Sequence, residues 1–271
     1  MPAWKTEVIA GEPRIAVDHL GAGPLVVFLH GIGGNRTNWH DQLPDFGRQF
    51  HAVSWDARGY GDSDDYEGPL DFGDFARDLV RVIDHFGVPR AHLIGLSMGG
   101  VIAIDFATRF RDRLASLTLC DSMPGFGHLT PAQRREFIRS RQEPLLAGQE
   151  PRDIAPAVAR TLLSKSPRPG CFERLVASMT ALHKESYIKT ITGSVNYARP
   201  LALESIVAPV LVVVGDEDAL TPPATARELA RRIPGAQLAV IERAGHLSNI
   251  EQPEAFNRTV LSFLMEHREG A

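Results

Sequence analysis

Cysteine is scarce in this sequence, and the patterns that mark metal and nucleotide sites are missing. Only two cysteines occur in 271 residues, Cys120 and Cys171, and neither belongs to a C-x-x-C pair. We therefore expect reduced thiols and no disulfide. The ten histidines show neither an H-E-x-x-H pattern nor clustered metal spacing, and no Walker or G-x-G-x-x-G pattern occurs. The sequence therefore lacks the common metal-binding and nucleotide-binding motifs, and we expect that the protein binds neither a metal nor another cofactor.

The sequence also lacks long apolar runs and an excess of basic charge. Its formal net charge is −4, with acidic and basic residues interspersed, so no basic face for nucleic acid is predicted. No stretch approaches the length of a membrane span, and residues 1–18 contain no basic segment followed by an apolar run. These absences predict a cytoplasmic protein that binds neither nucleic acid nor membranes. The oligomeric state stays open.

The amino-acid composition of the chain is ordinary for a globular protein with a sizeable core. Hydrophobic residues make up 44% and charged residues 23%, which predicts one large domain, with or without an insertion. Residues 4–20 are typical of an antiparallel edge hairpin. Short apolar runs at residues 24–30, 51–56, 91–95 and 114–119 then alternate with helical patterns. This alternation predicts an α/β protein with a mostly parallel, doubly wound sheet, whose ligand site lies at the carboxyl ends of the strands.

The alternation breaks at residues 121–205. This segment contains several short amphipathic helices and no convincing parallel strand, and it is too long for a crossover. We interpret it as a helical cap inserted after the sixth strand. The apolar run at residues 209–215 resumes the sheet, and residues 237–241 predict the last strand. The sequence therefore predicts a core domain of residues 1–120 and 206–271 and a cap of residues 121–205.

One serine lies in a local pattern that is hard to explain by packing. Residues 91–95 predict a buried strand and residues 98–110 a helix, and the pattern G-x-S-x-G, from Gly95 to Gly99, lies between them. A strand that turns this sharply into a helix needs glycines two positions before and after the turn residue. The turn residue is Ser97, whose hydroxyl would lie at the carboxyl edge of the sheet above a helix amino end. The pattern therefore predicts that Ser97 is a nucleophile.

A serine nucleophile needs a base and an acid, and two loops after the resumed strands can supply them. A serine hydroxyl becomes an effective nucleophile when an imidazole takes its proton, and His246 is predicted to be that base. The second imidazole nitrogen then needs an acceptor. Three acids, Asp216, Glu217 and Asp218, directly follow the strand that ends at residue 215. The chain thus carries nucleophile, acid and base in that order.

The order serine, acid, histidine is that of the α/β-hydrolase superfamily, and the sequence resembles this superfamily over almost its full length. The motifs that carry the resemblance are LHGIGGN, DARGYGDSD, GLSMGG, GDEDALTPP and AGHLSNIEQPEAF. The resemblance implies an eight-stranded α/β-hydrolase fold and a serine hydrolase. It also implies that Asp218, at the G-x-x-D position three residues after Gly215, is the catalytic acid. Asp121 is an alternative, because some members of this fold carry the acid after the sixth strand.

The same resemblance implies an oxyanion hole formed by two main-chain N–H groups. They are the N–H of Met98, directly after the nucleophile, and the N–H of Ile32 in the HGIGG loop. Three other residues at strand ends are interpreted as supports and not as catalysts. His30 is expected to pack or hydrogen-bond beside that loop, Asp56 to brace the DARGYGDS loop, and Cys120 to be a buried thiol.

Within the superfamily, the sequence most resembles hydrolases of the 3-oxoadipate enol-lactonase type, through GLSMGG, HLSNIEQPEAF and the predicted cap. This resemblance implies a small carboxylic ester or lactone as substrate. The cap has no tryptophan, whereas those enzymes place one over the substrate. Carbon–carbon bond hydrolases of aromatic ring-cleavage products are an alternative, although they typically have Asn before the serine and Trp after the histidine, where this chain has Leu96 and Leu247. A small-molecule receptor on a hydrolase scaffold is a further alternative.

The predicted cap is rich in cations, although the whole chain is slightly acidic. Most of these side chains must cover solvated helix faces, because long basic side chains rarely point inward. One guanidinium turned under the cap would bind a carboxylate in two-point contact, so an anionic substrate is a further hypothesis. Spacing does not choose the residue among Arg134, Arg135, Arg139, Arg141, Arg160, Lys165, Arg168, Arg174, Lys184, Lys189 and Arg199.

Overall fold

One eight-stranded sheet organises the fold. The computed structural model describes residues 4–197, 199 and 201–268. Of the predicted domains, residues 1–3 and 269–271 of the core and residues 198 and 200 of the cap lie outside the described residues. No helix in the described part is long and apolar enough to cross a membrane.

The strands follow the predicted alternation with small differences at their ends. They are β1 (Lys5–Ile9), β2 (Ile15–Gly21), β3 (Leu25–Leu29), β4 (His51–Trp55), β5 (Ala91–Leu96), β6 (Leu114–Cys120), β7 (Val210–Gly215) and β8 (Gln237–Ile241). Their order in the sheet is β1-β2-β4-β3-β5-β6-β7-β8. β1 and β2 form the predicted antiparallel hairpin at one edge, β2 is also antiparallel to β4, and the other neighbours are parallel. The mostly parallel, doubly wound sheet is confirmed.

Continuous apolar runs explain the central strands. Every residue of β3, β5, β6 and β7 is buried, as expected for parallel strands that helices cover on both faces. The edge strands β1 and β8 instead mix exposed and buried positions. The carboxyl ends of the buried strands therefore meet at one protected edge of the sheet.

Helices bury two separate apolar clusters, one on each face of the sheet. The α-helices of the described residues are α1 (Leu43–Phe46), α2 (Gly73–His85), α3 (Met98–Arg109), α4 (Pro131–Leu146), α5 (Pro151–Leu162), α6 (Cys171–Thr180), α7 (Lys184–Asn196), α8 (Pro223–Arg232), α9 (Ser248–Glu251) and α10 (Pro253–Glu266). Phe75 of α2, Ile102 of α3 and Leu229 of α8 belong to one cluster. Phe46 of α1 and Phe256 of α10 belong to the other. Burial on both faces fixes the sheet between two layers of helices.

Four α-helices of the described residues, α4 to α7, lie between β6 and β7. α4 packs against α7, and α5 packs against α6. Thr130 caps α4, because its hydroxyl accepts from the Gln133 N–H while the Gln133 side chain accepts from the Thr130 N–H. Gln142 Nε2 donates to the carbonyl oxygen of Ile188 at 2.8 Å and to the hydroxyl of Thr192 at 2.7 Å. These bonds join α4 to α7, and the helical insertion after the sixth strand is confirmed.

Candidate active site

Ser97 lies at the turn between β5 and α3. Its backbone φ is +54°, a value that residues with a side chain rarely adopt. Its N–H donates to the carbonyl oxygen of Cys120 at 2.9 Å, so the chain leaves the β5–β6 ladder directly at this residue. The Ser97 side chain is on the wall of a cavity at the carboxyl end of the sheet.

Two glycines make this turn possible. A Cβ on Gly95 would overlap the backbone of Gly99, and a Cβ on Gly99 would overlap the carbonyl oxygen of Leu29. The amino end of α3 therefore packs directly on the backbones of β3 and β5, closer than any side chain would permit. This close packing explains why the sequence has glycine at positions 95 and 99.

His246 and Asp218 contact each other beside the same cavity. His246 Nδ1 lies 2.9 Å from Asp218 Oδ2, and both residues are buried. A hydrogen bond from Nδ1–H to the carboxylate leaves Nε2 as the unprotonated nitrogen. His246 and Ser97 line one cavity. The structure thus brings the predicted base and acid into contact and puts the base and the predicted nucleophile on a common wall.

Asp218 is held as a carboxylate. Burial opposes its ionisation, but the hydrogen bonds from His246 and Thr221, together with the positive charge of His246 when it is protonated, hold the pKa of Asp218 below its usual value. The Thr221 hydroxyl donates to Oδ2 at 2.6 Å. The N–H groups of Leu220 and Thr221 donate to Oδ1 at 2.8 and 2.9 Å. Asp218 is therefore ionised and oriented toward the imidazole.

Asp121, the alternative acid, contacts different groups. Its carboxylate accepts from the Gly215 N–H at 2.8 Å, from the Ser248 N–H at 3.1 Å and from the Ser248 hydroxyl at 2.6 Å. Burial and the nearby charge of Asp218 raise the pKa of Asp121 to about 7. The hydrogen bond to the His246 imidazole goes to Asp218. The geometry therefore favours Asp218 over Asp121 as the partner of the base.

Two main-chain N–H groups beside Ser97 are available to bind an oxyanion. Ile32 and Met98 both line the cavity, and within the described part of the chain neither N–H donates to another residue. Met98 is the first residue of α3, and the first N–H groups of a helix have no intrahelical acceptor. These are the two donors that the sequence predicts.

The cavity is small and mostly apolar. Its volume is about 80 Å³. Since one water needs roughly 10–15 Å³ of such space, the cavity has room for several waters and suits a small substrate. The helices between β6 and β7 contribute much of the wall, including Phe137, Arg141, Leu162, Met179, Tyr187 and Ser194.

His30, Asp56 and Cys120 make the supporting contacts expected of them. His30 Nδ1 donates to the Gly31 carbonyl oxygen of the HGIGG loop at 2.8 Å, and its Nε2 accepts from the Ala57 N–H at 3.1 Å. Asp56 accepts from the Asp62 N–H at 2.8 Å inside its own loop. Cys120 is fully buried, and burial raises its pKa well above the usual value, so its thiol is not a reactive nucleophile.

Glu251 and Ser164 were not singled out in the sequence, yet they hold the histidine loop. The buried Glu251 carboxylate accepts from the Gly245 N–H at 2.8 Å and from the N–H and hydroxyl of Ser164 at 3.0 and 2.5 Å. The His246 N–H donates to the carbonyl oxygen of Leu162 at 2.7 Å. The carboxyl end of α5 is thus fastened to the loop that carries His246. Two carboxylates, Glu251 and Glu254, follow His246 closely in the sequence, and no local pattern shows which of them bonds to this loop.

A sequence model of the alpha/beta hydrolase fold family matches residues 24–253. The matched range contains Ile32, Ser97, Met98, Asp218 and His246. The chain belongs to the α/β hydrolase fold family. The resemblance found in the sequence is therefore confirmed for the fold.

Similar proteins place this α/β hydrolase among enzymes. It is 28% identical over 244 residues to 3-oxoadipate enol-lactonase 2 of Acinetobacter baylyi, covering 88% of this chain and 87% of that one. It is 29% identical over 265 residues to 2-hydroxy-6-oxononadienedioate/2-hydroxy-6-oxononatrienedioate hydrolase of Burkholderia vietnamiensis, covering 93% and 91%. The structure of a malate-bound thermophilic esterase from Thermogutta terrifontis is 30% identical, with a TM-score of 0.88 and coverage of 97% and 99%. The chain is accordingly a hydrolase, and its likeness to enol-lactonases is confirmed.

The packing of α3 on β3 predicts the effect of a methyl group at Gly99. We expect Gly99→Ala to lower the free energy of unfolding by about 1–3 kcal/mol, because the new Cβ would displace the Leu29 carbonyl. Urea unfolding measures the change. Gly127→Ala is the matched control, since nothing lies within 4 Å of its added Cβ. Equal stability of the two variants would contradict the close packing.

The contacts of the two buried carboxylates predict different effects of amide substitution. We expect Asp218→Asn to lower kcat on an activated ester by about 10⁴-fold, because an amide favours the wrong imidazole tautomer. We expect Asp121→Asn to cost about tenfold or less in kcat, with lower stability, because Ser248 loses an acceptor. Steady-state kinetics and urea unfolding of both variants check this. The reverse order of kcat values would assign the acid to Asp121.

Proposed function

We propose that this α/β hydrolase cleaves small carboxylic esters or lactones through an acyl-enzyme on Ser97, with His246 as base and Asp218 as acid. The observation that carries the proposal is the buried 2.9 Å contact between His246 Nδ1 and Asp218 Oδ2, on a cavity that Ser97 also lines. An acceptor on Nδ1 leaves Nε2 to take a hydroxyl proton. The three residues therefore have the roles that acyl transfer requires.

Acylation follows from these positions. His246 Nε2 takes the Ser97 hydroxyl proton while Oγ attacks the substrate carbonyl carbon. Negative charge develops on the carbonyl oxygen, where the N–H groups of Ile32 and Met98 bind it. His246 then gives its proton to the leaving alcohol oxygen as the carbon–oxygen bond breaks. The Asp218 carboxylate stabilises the imidazolium between these two proton transfers.

Deacylation uses the same groups with water as the nucleophile. His246 takes a proton from the water, and the hydroxide oxygen attacks the acyl carbon. The tetrahedral intermediate then expels Ser97 Oγ, which receives the proton from His246. An ester yields an acid and an alcohol. A lactone yields one hydroxy acid, because its leaving oxygen is part of the same molecule.

The names of similar proteins support a small ester or lactone. One relative is an enol-lactonase, and a neighbouring structure is an esterase with malate bound. We propose an enol-lactonase-like substrate on this basis. The cavity differs from the enol-lactonase pattern, since Trp4, Trp39 and Trp55 all lie outside its wall. Apolar side chains such as Phe137 and Met179 cover the substrate space instead.

Carbon–carbon bond hydrolysis is the second candidate, because one relative is named a 2-hydroxy-6-oxononadienedioate hydrolase. Leu96 and Leu247 line the cavity, where such enzymes typically have Asn and Trp. Leucine offers no hydrogen bond to the oxygens of a dienoate. Ester or lactone cleavage is therefore the favoured proposal.

We also propose that residues 121–205 act as a cap that limits substrate size. The described helices of this segment contribute residues from α4, α5, α6 and α7 to the wall above Ser97. A site enclosed in this way excludes long chains and bulk water. The proposed cap would therefore select small acyl groups.

Ser97→Ala, assayed on short-chain esters, lactones and ring-cleavage dienoates, tests the mechanism. We expect kcat on the best ester or lactone to fall by about 10⁴-fold or more, as for loss of a residue that acts within a triad. Urea unfolding should show an intact fold, because the side chain lines a cavity. Ser166→Ala, at an exposed serine, is the control and should retain full activity.

Other outcomes of that panel separate the alternatives. Retained activity in Ser97→Ala would remove this residue from the mechanism. Faster turnover of dienoates than of any ester or lactone would favour carbon–carbon hydrolysis. Binding of small molecules without turnover of any substrate would favour a receptor.

The size of the cavity predicts a strong preference for short acyl chains. We expect kcat/KM for 4-nitrophenyl esters to fall by about tenfold or more between butyrate and decanoate, because side chains of α4 to α7 form part of the wall of the small cavity that Ser97 lines. A series of esters of increasing length measures this preference. Equal rates along the series would show an open groove instead of a capped cavity.

A further inference from the structure

Arg141 is a partly buried cation on the wall of the catalytic cavity. Among the residues that the structure describes, it is the only lysine or arginine that lines this cavity. Its guanidinium carbon lies 3.7 Å from the centre of the Phe137 ring. Arg139, two positions earlier in α4, instead pairs with Glu136 and Glu143 at the surface. The fold thus turns one of these two arginines into the cavity and the other to solvent.

No acidic side chain in the described part of the chain neutralises Arg141. Burial lowers the pKa of its guanidinium, and the neighbouring Tyr187 phenol raises it only in part. An arginine nevertheless stays protonated at any ordinary pH. A positive charge is therefore held in a poorly hydrated place without a counter-charge, which costs free energy. An anionic ligand would offset that cost.

Two hydroxyl groups of α7 lie on the same wall as Arg141. Tyr187 and Ser194 both line the cavity, and a separation of seven residues puts them on one helix face. Ser194 Oγ is buried and has no hydrogen-bond partner among the described residues. Gln142, next to Arg141, bonds α4 to α7. These two bonds hold together the helices that carry the guanidinium and the two hydroxyls.

We propose that Arg141, together with the hydroxyls of Tyr187 and Ser194, binds a carboxylate of the substrate. The inference rests on the proposed function and narrows its substrates to esters or lactones with a second, free carboxylate. A guanidinium offers two parallel N–H donors to a carboxylate, and a hydroxyl adds a third. Anchoring the far end of a small substrate in this way orients its scissile carbonyl toward Ser97. Arg141 is then a specificity-determining residue.

The test compares esters that differ in one charge. Mono-4-nitrophenyl glutarate has a free carboxylate, and 4-nitrophenyl methyl glutarate has a methyl ester in its place. A second pair, 4-acetoxybutanoate and its methyl ester, carries the carboxylate on the alcohol half. In at least one pair, we expect the wild-type protein to have a higher kcat/KM for the charged ester than for the neutral ester. We expect Arg141→Gln to lower this charged-to-neutral ratio of kcat/KM by about 10- to 100-fold, mainly by raising KM for the charged ester.

Two further variants test whether the effect is specific to the position and the guanidinium group of Arg141. Arg135→Gln removes the same charge from an exposed position of α4 and should leave both ratios at the wild-type value. Arg141→Lys keeps the charge without the planar pair of donors, so its ratio should lie between those of wild type and Arg141→Gln. Arg141→Lys also supplies the comparison with wild type if Arg141→Gln folds poorly. A ratio that neither substitution of Arg141 changes, in either pair, would overturn the proposal.

Binding to inactive protein tests the subsite without turnover. By titration calorimetry, we expect glutarate to bind Ser97→Ala about 10- to 100-fold more tightly than it binds Ser97→Ala/Arg141→Gln. Equal glutarate affinities, together with Ser97-dependent hydrolysis of the neutral ester, would overturn the carboxylate subsite alone. Arg141-dependent glutarate binding by a protein that hydrolyses none of the esters would support the subsite and overturn the proposed function alone.

Discussion

The close contact between the amino end of α3 and the backbones of β3 and β5 is the constraint on which the site depends. Only glycine at positions 95 and 99 permits it. The contact forces Ser97 into its left-handed conformation and leaves the Met98 N–H at the start of the helix without an acceptor. Surrounding bonds, such as that from the Ser97 N–H to Cys120, keep the strained residue in place. One backbone turn thus provides both the hydroxyl and an oxyanion donor.

The two buried carboxyls near His246 differ in the direction of their pKa shifts. Thr221 and the imidazole stabilise the charge of Asp218, whereas burial and the Asp218 charge raise the pKa of Asp121 to about 7. Two like charges in one region of low dielectric repel each other strongly. The carboxyl whose ionisation is favoured, Asp218, is also the one that contacts the imidazole.

Local sequence patterns predicted the sheet and the turn at Ser97, because burial on both faces demands apolar runs and the tight turn demands glycine. Local sequence patterns alone do not identify the acid that partners His246. Asp216, Glu217 and Asp218 are adjacent and chemically alike, so only the family resemblance selects Asp218 from the sequence, whereas the structure shows its 2.9 Å contact with His246. For the helices between β6 and β7, the sequence predicts even less about which side chains reach the cavity. Arg139 and Arg141 have similar neighbours in sequence, and only the packing of α4 on α7 decides which one reaches the cavity.

The bonds between the end of α5 and the histidine loop affect how this architecture can evolve. Leu162 and Ser164 are bonded to the His246 N–H and to Glu251, so recombination that replaces the whole insertion would remove contacts that position the base. Replacement of α4 and α7 leaves these bonds in place. The end of α5 is therefore tied to the position of the base, whereas α4 and α7 carry side chains that line the cavity, including Arg141 and Tyr187.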